Sequence, residues 1–509
     1  MYLDARELPE YSPLEADVAI VGGGPAGITL ARALAKSGAE ILLVESGGLE
    51  PDAETQNLYH GQSVGIPYPL EGSRLRFLGG SSNHWGGYCL PLDEIDFEQR
   101  DWVPYSGWPI SRDELAPYYA AASEIVEIAP ARFDDAAYWE AETGEPLLPF
   151  PAGRLKHRFY QFSPPTRFGT RYGPELERQH NIRVVLHCNV TNIATGPAAE
   201  AVRHLDTRTL TGLSHRIHAK TYILATGGIE NARLLLLSSD RVPSGLGNQH
   251  DLVGRFFMEH PHLGGFADVV LADPDRLATI YHDRILVKER PAQVAFVPTP
   301  DLLRRKRLLN ASFTIALGEK YSGDETGDRA SQHLDMLRAA AAIVSRGSED
   351  LRPTGGTTIG ARYGIGCACE QTPNPESRVT LSTQTDTLGL RRARLDWRLA
   401  EQDRRSVVEH MRSFAYEFGA LGLGRIRLLV EDDGQWPDIV SGGSHHMGTT
   451  RMSHDPKTGV VDANCRVHGM SNLYVAGSSV FPTCGSANPT LTLVALAMRL
   501  ADHLKSRPA

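Results

Sequence analysis

Residues 17–46 (DVAIVGGGPAGITLARALAKSGAEILLVES) constrain the fold of this chain more than any other segment. The apolar run at residues 18–21 is typical of a buried parallel strand. It leads into Gly22, Gly24 and Gly27, which fit the pattern G-x-G-x-x-G. In a dinucleotide-binding turn the first glycine permits the tight turn, the second lets the backbone approach a pyrophosphate, and the third lets the helix pack against the strand. The segment therefore predicts a βαβ unit that opens a Rossmann-like domain.

The residues after the glycines complete this unit. A segment with helical spacing ends at Gly38, a suitable C-cap, and the apolar residues 41–44 form a second strand that delivers Glu45. A carboxylate there can accept hydrogen bonds from a ribose, and the helix N-terminus offers N–H groups to phosphates. A glycine-rich turn without a nucleotide is the alternative, but the full order of elements favours a dinucleotide. NAD and FAD sites look similar, and the position of the motif near the start of the sequence favours FAD.

Two further stretches extend the nucleotide-binding part of the chain. A strand at residues 222–225 runs into Gly227 and then into a helix, which is a second strand–glycine–helix junction. A strand at residues 472–476 precedes an amphipathic helix that begins at Pro489. We therefore predict an α/β fold with a Rossmann-like FAD-binding domain built from separate chain segments.

The middle of the chain has a different sequence pattern, in which strand-like stretches alternate with long predicted helices at residues 328–346 and 401–421. It predicts an α+β substrate-binding domain in which helices cover a sheet. The predicted FAD-binding domain comprises residues 1–100, 180–265 and 435–509, and the predicted substrate-binding domain comprises residues 101–179 and 266–434.

Charge and composition exclude several classes of function. The formal net charge of -9 argues against a nucleic-acid partner, which requires a basic surface. No apolar run approaches the ~18 residues of a transmembrane helix, so we expect no membrane insertion. The N-terminal residues lack the apolar core of an export signal, and six cysteines are too few for a disulfide scaffold. These features favour the cytoplasm and leave the oligomeric state open.

Five motifs, in the same order, resemble those of the glucose–methanol–choline (GMC) oxidoreductases, FAD enzymes that oxidise alcohols. They are VAIVGGGPAG with Glu45, LGGSSNHWGG, ATGGIENARLLL, HHMGTTRM and LYVAGSSVFPTCGSANPTLTLVALAMRLADHL. The resemblance runs from about residue 17 to the last residue, and the middle of the chain is only loosely shared. The motifs are most similar to those of bacterial members, pyranose oxidases and glycoside 3-oxidases, rather than those of fungal glucose oxidases.

The resemblance implies two catalytic residues, because His445 matches the catalytic histidine of the family and Asn488 matches its second catalytic position. A positioned imidazole can accept the hydroxyl proton of an alcohol, which contributes ~10²–10⁴-fold to the rate. The Asn488 amide has both a donor and an acceptor, so it can hold the substrate oxygen. His446 is predicted to be a supporting residue, because adjacent side chains usually point apart.

The resemblance also implies that residues of all five motifs, and a backbone position that meets the adenine, hold FAD. The predicted cofactor-binding residues are Gly22, Gly24, Gly27, Glu45, Gly80, Ser81, Asn83, His84, Val190, Gly227, Gly477, Ser478, Asn488, Pro489 and Thr490. His84 falls where some members bind flavin covalently through a histidine. A covalent bond and simple packing beside the ring both stay open for His84.

The implied reaction is oxidation of a secondary hydroxyl of a sugar or glycoside to a ketone, at C3 or C2 of a pyranose. His445 acts as the general base, flavin N5 takes the hydride, and O₂ becomes H₂O₂. The alternatives are a dehydrogenase of another alcohol that passes electrons to a quinone or partner protein, a non-redox lyase on the same fold, and a non-catalytic FAD-binding subunit. The presence of both His445 and Asn488 weighs against the last.

Two short patterns outside these motifs could hold metal by spacing alone. Cys367 and Cys369 form C-x-C, and His260 and His262 lie in MEHPH. A metal site would need further ligands nearby. We therefore predict free thiols, histidines that cap a turn near the domain junction, and no metal site.

Overall fold

The computed structural model of the protein describes residues 1–263, 267–271, 277–281, 284–288, 290–317, 362–428, 436 and 440–507. Within these residues the main chain forms three β-sheets with helices packed around them. The predicted helix at residues 328–346 lies outside the described residues.

The first sheet has a parallel core, as expected for a sheet whose apolar strands are buried on both faces. Its strands come from the N-terminal, middle and C-terminal parts of the chain. In spatial order they are Tyr2–Asp4, Ile182–Leu186, Ile41–Val44, Pro13–Val21, Ser214–Leu224, Val202–Arg208 and Asn189–Thr195, with Leu473–Val475 paired to Ser214–Leu224. The prediction of an α/β fold with a Rossmann-like part is confirmed.

The glycine turn after the strand Pro13–Val21 depends on close backbone packing. Gly22 has a φ of 109°, and a Cβ there would lie 2.5 Å from the carbonyl oxygen of Ala225. A Cβ on Gly27 would lie 1.9 Å from the carbonyl oxygen of Gly22. Side chains at these positions would push the helix Pro25–Ala35 away from the sheet, so only glycine keeps the helix N-terminus at the turn.

The second sheet is antiparallel and carries the helix Glu401–Ala420 on one face. Phe414 on this helix packs against Phe296, with ring centroids 5.1 Å apart. The strands of this sheet, in spatial order, are Gly424–Leu428, Ala267–Leu271, Arg362–Cys369, Ala311–Leu317, Arg290–Pro298, Leu155–Phe162 and Tyr88–Cys89, with Pro261–Leu263, Val440–Gly442 and Ile285–Val287 paired at its sides. A third sheet contains Arg378–Thr385, Arg391–Trp397 and Gln62–Gly65. The prediction of a sheet covered by helices is confirmed.

The α-helices of the described residues are short apart from two. They are Pro25–Ala35, Ala53–Asn57, Glu94–Phe97, Arg112–Ile125, Ala136–Thr143, Phe168–Arg178, Gly227–Leu237, Pro300–Lys306, Glu401–Ala420 and Pro489–Ser506. None of these helices is both long and apolar enough to cross a lipid bilayer.

One helix joins parts of the chain that the predicted domain bounds separate. Arg112–Ile125 lies in a segment that we assigned to the substrate-binding domain, yet it packs against Pro489–Ser506. The hydroxyls of Tyr119 and Thr492 lie 3.0 Å apart at this contact. The domain bounds themselves stay a prediction.

Candidate active site

One cavity of about 510 Å³ is lined by residues from both the N-terminal and the C-terminal parts of the sequence. The glycine turn at Gly22 and Gly24 lines it, and so do His445 and Asn488. The N-terminal motif and the C-terminal histidine segment therefore face the same space, although they lie more than 400 residues apart in the sequence.

Three helices begin at the wall of this cavity. They are Pro25–Ala35, Gly227–Leu237 and Pro489–Ser506, and none has a side chain capping its N-terminus. The first N–H groups of a helix lack partners inside the helix, and the helix dipole adds positive potential there. These three termini can therefore donate hydrogen bonds to phosphate, ribityl or pyrimidine oxygens in the cavity.

Three glycines leave open space where a side chain would stand. A Cβ on Gly24, Gly227 or Gly477 would meet no protein atom within 4 Å, and all three residues line the cavity. A Cβ at these positions would instead occupy the cavity itself. The wall is therefore shaped for a ligand that lies directly against the backbone, as a dinucleotide does.

Glu45 fixes the glycine turn through hydrogen bonds to backbone nitrogens. Its carboxylate accepts hydrogen bonds from the backbone nitrogens of Gly23 at 2.8 Å and Gly47 at 2.9 Å. The residue is 6% exposed and lines the cavity. A carboxylate has further lone pairs, so it can still accept from a ribose. The predicted ribose contact of Glu45 stays a prediction.

The loop predicted to cover the flavin ring places most of its residues at the cavity. Gly80, Ser81 and His84 line it, and the His84 side chain is exposed. Asn83 is not among the lining residues, because its Nδ2 turns back and donates to the carbonyl oxygen of Leu78 at 3.0 Å. Asn83 therefore shapes the loop rather than facing the cavity.

Among the remaining predicted cofactor residues, one packs outside the cavity and the others line it. Gly27 packs beneath the glycine turn and does not line the cavity, as its predicted role in helix packing requires. The predicted residues that do line the cavity are Gly22, Gly24, Glu45, Gly80, Ser81, His84, Val190, Gly227, Gly477, Ser478, Asn488, Pro489 and Thr490.

The two predicted catalytic side chains are in contact. Nδ2 of Asn488 lies 3.1 Å from Nε2 of His445, across 43 residues of chain. Asn488 is the N-cap residue of the helix Pro489–Ser506, but its side chain does not cap the helix. An asparagine at an N-cap normally stabilises the helix by ~0.5–2 kcal/mol through that bond. Here the amide faces the imidazole instead.

Burial keeps this imidazole neutral. It lowers the pKa of His445 well below its usual value, and the neighbouring rings of His260 and His262 lower it further. A neutral imidazole has one nitrogen with a lone pair, which is what a general base requires.

The lowered pKa of His445 predicts a pH dependence for the reaction that the family resemblance implies. A base at this position would stay unprotonated down to acidic pH, so we expect the rate of flavin reduction to be constant above pH ~6.5 and to fall only at lower pH. Anaerobic rapid-mixing measurements between pH 4 and pH 9, at saturating substrate, give this profile. An acidic limb centred above pH 7 would contradict a neutral, buried base.

Glu259 organises the backbone around the histidine and was missed by the sequence analysis. Its carboxylate accepts from the backbone nitrogens of His445 at 2.6 Å, His260 at 2.9 Å and Gly443 at 3.0 Å, and also from the hydroxyl of Tyr68. Glu259 is fully buried, and burial raises its pKa to about 7. The signal in the sequence was an acid directly after the apolar residues 256–258 (FFM).

The predicted supporting role of His446 stays a prediction, because its ring lines the cavity and also contacts protein groups. Its Nε2 lies 2.8 Å from the hydroxyl of Tyr68, which itself donates to Glu259. The hydroxyl of Ser478 donates to the backbone oxygen of His446 at 2.7 Å. His446 is therefore connected through the Tyr68 hydroxyl to the Glu259 carboxylate, which also binds the backbone of His445.

The turn-capping interpretation of His260 and His262 is wrong. The strand Pro261–Leu263 pairs with Val440–Gly442, and this pairing brings both rings beside His445. Among the described residues, no group of three or more histidine, cysteine, aspartate or glutamate side chains is arranged to hold a metal ion. The cysteines Cys367 and Cys369 are free and buried.

Two family models match this chain. The model described as FAD dependent oxidoreductase matches residues 17–249, and the model described as GMC oxidoreductase matches residues 373–497. Together they span the glycine turn and the His445–Asn488 pair.

Relatives and a solved structure agree with these matches. The fructose dehydrogenase large subunit of Gluconobacter japonicus is 24% identical over 569 residues, covering 96% of this chain and 98% of that protein. A C-glycoside 3-oxidase of Arthrobacter globiformis is 31% identical over 187 residues, covering 35% of this chain and 34% of that protein. The crystal structure of formate oxidase has a TM-score of 0.58 at 18% identity and covers 98% of this chain and 99% of that one, which shows the shared fold.

Proposed function

Because the chain belongs to the GMC oxidoreductases, FAD-dependent enzymes that act on alcohol groups, we propose that it oxidises a secondary hydroxyl of a sugar or glycoside to a ketone. The observation that carries this proposal is the contact between His445 Nε2 and Asn488 Nδ2 on the wall of the cavity that also reaches Gly24. A base and a polar anchor beside the cofactor space are what alcohol oxidation requires.

In the proposed mechanism the backbone of Gly24, Gly227 and Gly477 would hold FAD, together with the N-termini of the three helices. When bound there, FAD would supply the two-electron oxidation as the hydride acceptor. His445 Nε2 accepts the hydroxyl proton. The Asn488 amide donates to the same oxygen and keeps it next to the base.

Two relatives support a carbohydrate as the substrate, because their names describe a fructose dehydrogenase and a C-glycoside 3-oxidase. We assign the oxidised position to C3 or C2 of a pyranose. O₂ is the proposed electron acceptor and is reduced to H₂O₂.

A panel of sugars and glycosides tests the substrate. The FAD-loaded protein is mixed anaerobically with pyranoses, with methyl and aryl glycosides, and with the matching 2-deoxy and 3-deoxy compounds. We expect the visible absorbance of the flavin to bleach with at least one sugar and to stay unchanged when the reacting hydroxyl is missing. Bleaching by simple alcohols alone would overturn the sugar assignment. A flavin that stays oxidised throughout turnover would indicate the lyase.

A dehydrogenase is the second candidate, because one relative that matches over 96% of this chain is named the fructose dehydrogenase large subunit. Such an enzyme passes electrons to a quinone or a partner protein. Measuring H₂O₂ in air, beside the reduction of a quinone or dye, separates the two. Rapid dye reduction with negligible H₂O₂ would replace the oxidase with the dehydrogenase.

His84 lines the cavity with an exposed side chain, so a bond to the flavin is sterically open to it. Acid precipitation of the yellow protein tests this. If His84 is the attachment point, the colour stays with the wild-type pellet and moves to the supernatant in the His84→Ala variant. Colour in the wild-type supernatant excludes the bond.

We also propose the cytoplasm as the compartment. All six cysteines are free, and all are buried. This usage of cysteine suits a reducing environment.

A further inference from the structure

His260 lies behind His445 and contacts it through a ring nitrogen. Nδ1 of His260 is 2.9 Å from Nδ1 of His445, and Nε2 of His260 is 3.2 Å from the carbonyl oxygen of Cys484. His260 is fully buried. Both of its ring nitrogens therefore have a defined partner.

The Cys484 carbonyl sets the tautomer of His260. A carbonyl oxygen can only accept, so Nε2 of His260 must carry the hydrogen that it donates there. Burial lowers the pKa of His260 to about 4, so the ring is neutral and has a single N–H. Its Nδ1 therefore has the lone pair.

This lone pair in turn sets the tautomer of His445. A contact of 2.9 Å between two Nδ1 atoms needs one donor, and His260 has no hydrogen at that atom. Nδ1 of His445 must therefore carry the hydrogen. The free lone pair of His445 is then at Nε2, which faces the Asn488 amide.

Contacts with neighbouring groups also restrict the position of the His445 ring. Glu259 holds its backbone nitrogen at 2.6 Å. A Cβ on Gly443 would lie 2.7 Å from Nδ1 of His445 and 2.7 Å from Nε2 of His262. The glycine is therefore packed between these two rings, on the side of His445 that faces His260.

We propose that His260 is a positioning residue: it holds His445 in the tautomer with hydrogen on Nδ1, so that the proton acceptor is Nε2 beside Asn488. This inference rests on the proposed function, in which His445 is the base. When Nε2 takes a proton, the Nδ1 hydrogen keeps its acceptor, so the cation forms without leaving a buried donor unpaired. A neutral histidine thus performs the orienting task that a carboxylate performs in many hydrolases.

Two variants of His260 separate this role from simple packing. His260→Asn places an amide oxygen near the position of Nδ1 and keeps an acceptor for His445. His260→Leu fills similar space without an acceptor. The matched control is His262→Leu, because the His262 ring also lies beside His445, with centroids 5.7 Å apart, but makes no hydrogen bond to it.

The direct readout is the ¹⁵N spectrum of histidine-labelled, FAD-loaded protein. The chain has 19 histidines, so the His445 signals are identified by their loss in His445→Gln. We expect a protonated Nδ1 and an unprotonated Nε2 in the wild type, in His260→Asn and in His262→Leu. In His260→Leu we expect the hydrogen to move, wholly or in part, to Nε2.

The kinetic readout is flavin reduction by substrate. We expect kcat to fall about 10–100-fold in His260→Leu, with KM changed only slightly, and to recover most of this loss in His260→Asn. Flavin content and melting temperature are measured on each variant to establish that it folds. Wild-type protein with the hydrogen on Nε2, or equal losses in the Leu and Asn variants, would overturn the proposal. The ¹⁵N result does not depend on turnover, so it stands or falls separately from the proposed reaction.

Discussion

Replacing His445 with alanine is expected to slow flavin reduction by substrate about 10²–10⁴-fold. The variant loses the imidazole that contacts Asn488, so a hydroxyl held by the Asn488 amide no longer has this base beside it. The rate is measured by anaerobic rapid mixing with a substrate identified from the sugar panel. FAD content should stay the same, because the glycine turn and the three helix N-termini are untouched.

The matched control is His454→Ala, because His454 lies close to His445 in the sequence but is exposed. We expect its rate to be within two-fold of wild type, as for an ordinary surface substitution. A His445→Ala enzyme that reduces its flavin at the wild-type rate would remove the base from the mechanism. It would also revive the non-catalytic FAD-binding subunit.

Replacing Glu259 with leucine is expected to destabilise the protein by about 3 kcal/mol or more. Three backbone N–H groups, those of His445, His260 and Gly443, would lose their acceptor, at about 1–3 kcal/mol for each that is left unpaired. The Tyr68 hydroxyl would lose its acceptor as well. Thermal and denaturant unfolding of the purified variant measure the change.

Glu259→Gln separates the loss of acceptors from the loss of charge. The glutamine keeps one acceptor oxygen and nearly the same shape, so we expect a destabilisation of about 1–2 kcal/mol. Flavin reduction should slow in both variants, and more in Leu, because the loop that carries His445 is no longer fixed. A Glu259→Leu protein with the unfolding free energy of the wild type would show that these hydrogen bonds do not hold the loop.

The local parts of the fold were open to prediction because they follow from contiguous residues. The turn at Gly22 and Gly27 needs glycine for reasons that a single βαβ unit already contains, and the helix Glu401–Ala420 shows its apolar period directly. The packing of Arg112–Ile125 against Pro489–Ser506 could not be predicted, because nothing in either helix identifies its partner.

The site residues, too, could be predicted where a contiguous motif marks them and could not where tertiary packing brings them together. His445 and Asn488 could be singled out because motifs resembling a known family mark both, and the structure shows their contact across 43 residues. Glu259 and His260 were missed because their role arises from one strand pairing, in which His262 lies opposite Ser441. Asn83 stays a predicted cofactor residue, and the hydrogen bond from its amide to the carbonyl oxygen of Leu78 could not be predicted from the motif.

The crystal structure of the FAD-loaded protein, with the keto-sugar product or a slow substrate bound, measures the arrangement on which the mechanism depends. We predict that one ligand oxygen lies within about 2.6–3.2 Å of both His445 Nε2 and Asn488 Nδ2, beside the flavin ring. A flavin ring bound away from these two side chains, or a reacting oxygen beyond the reach of His445, would contradict the proposed chemistry.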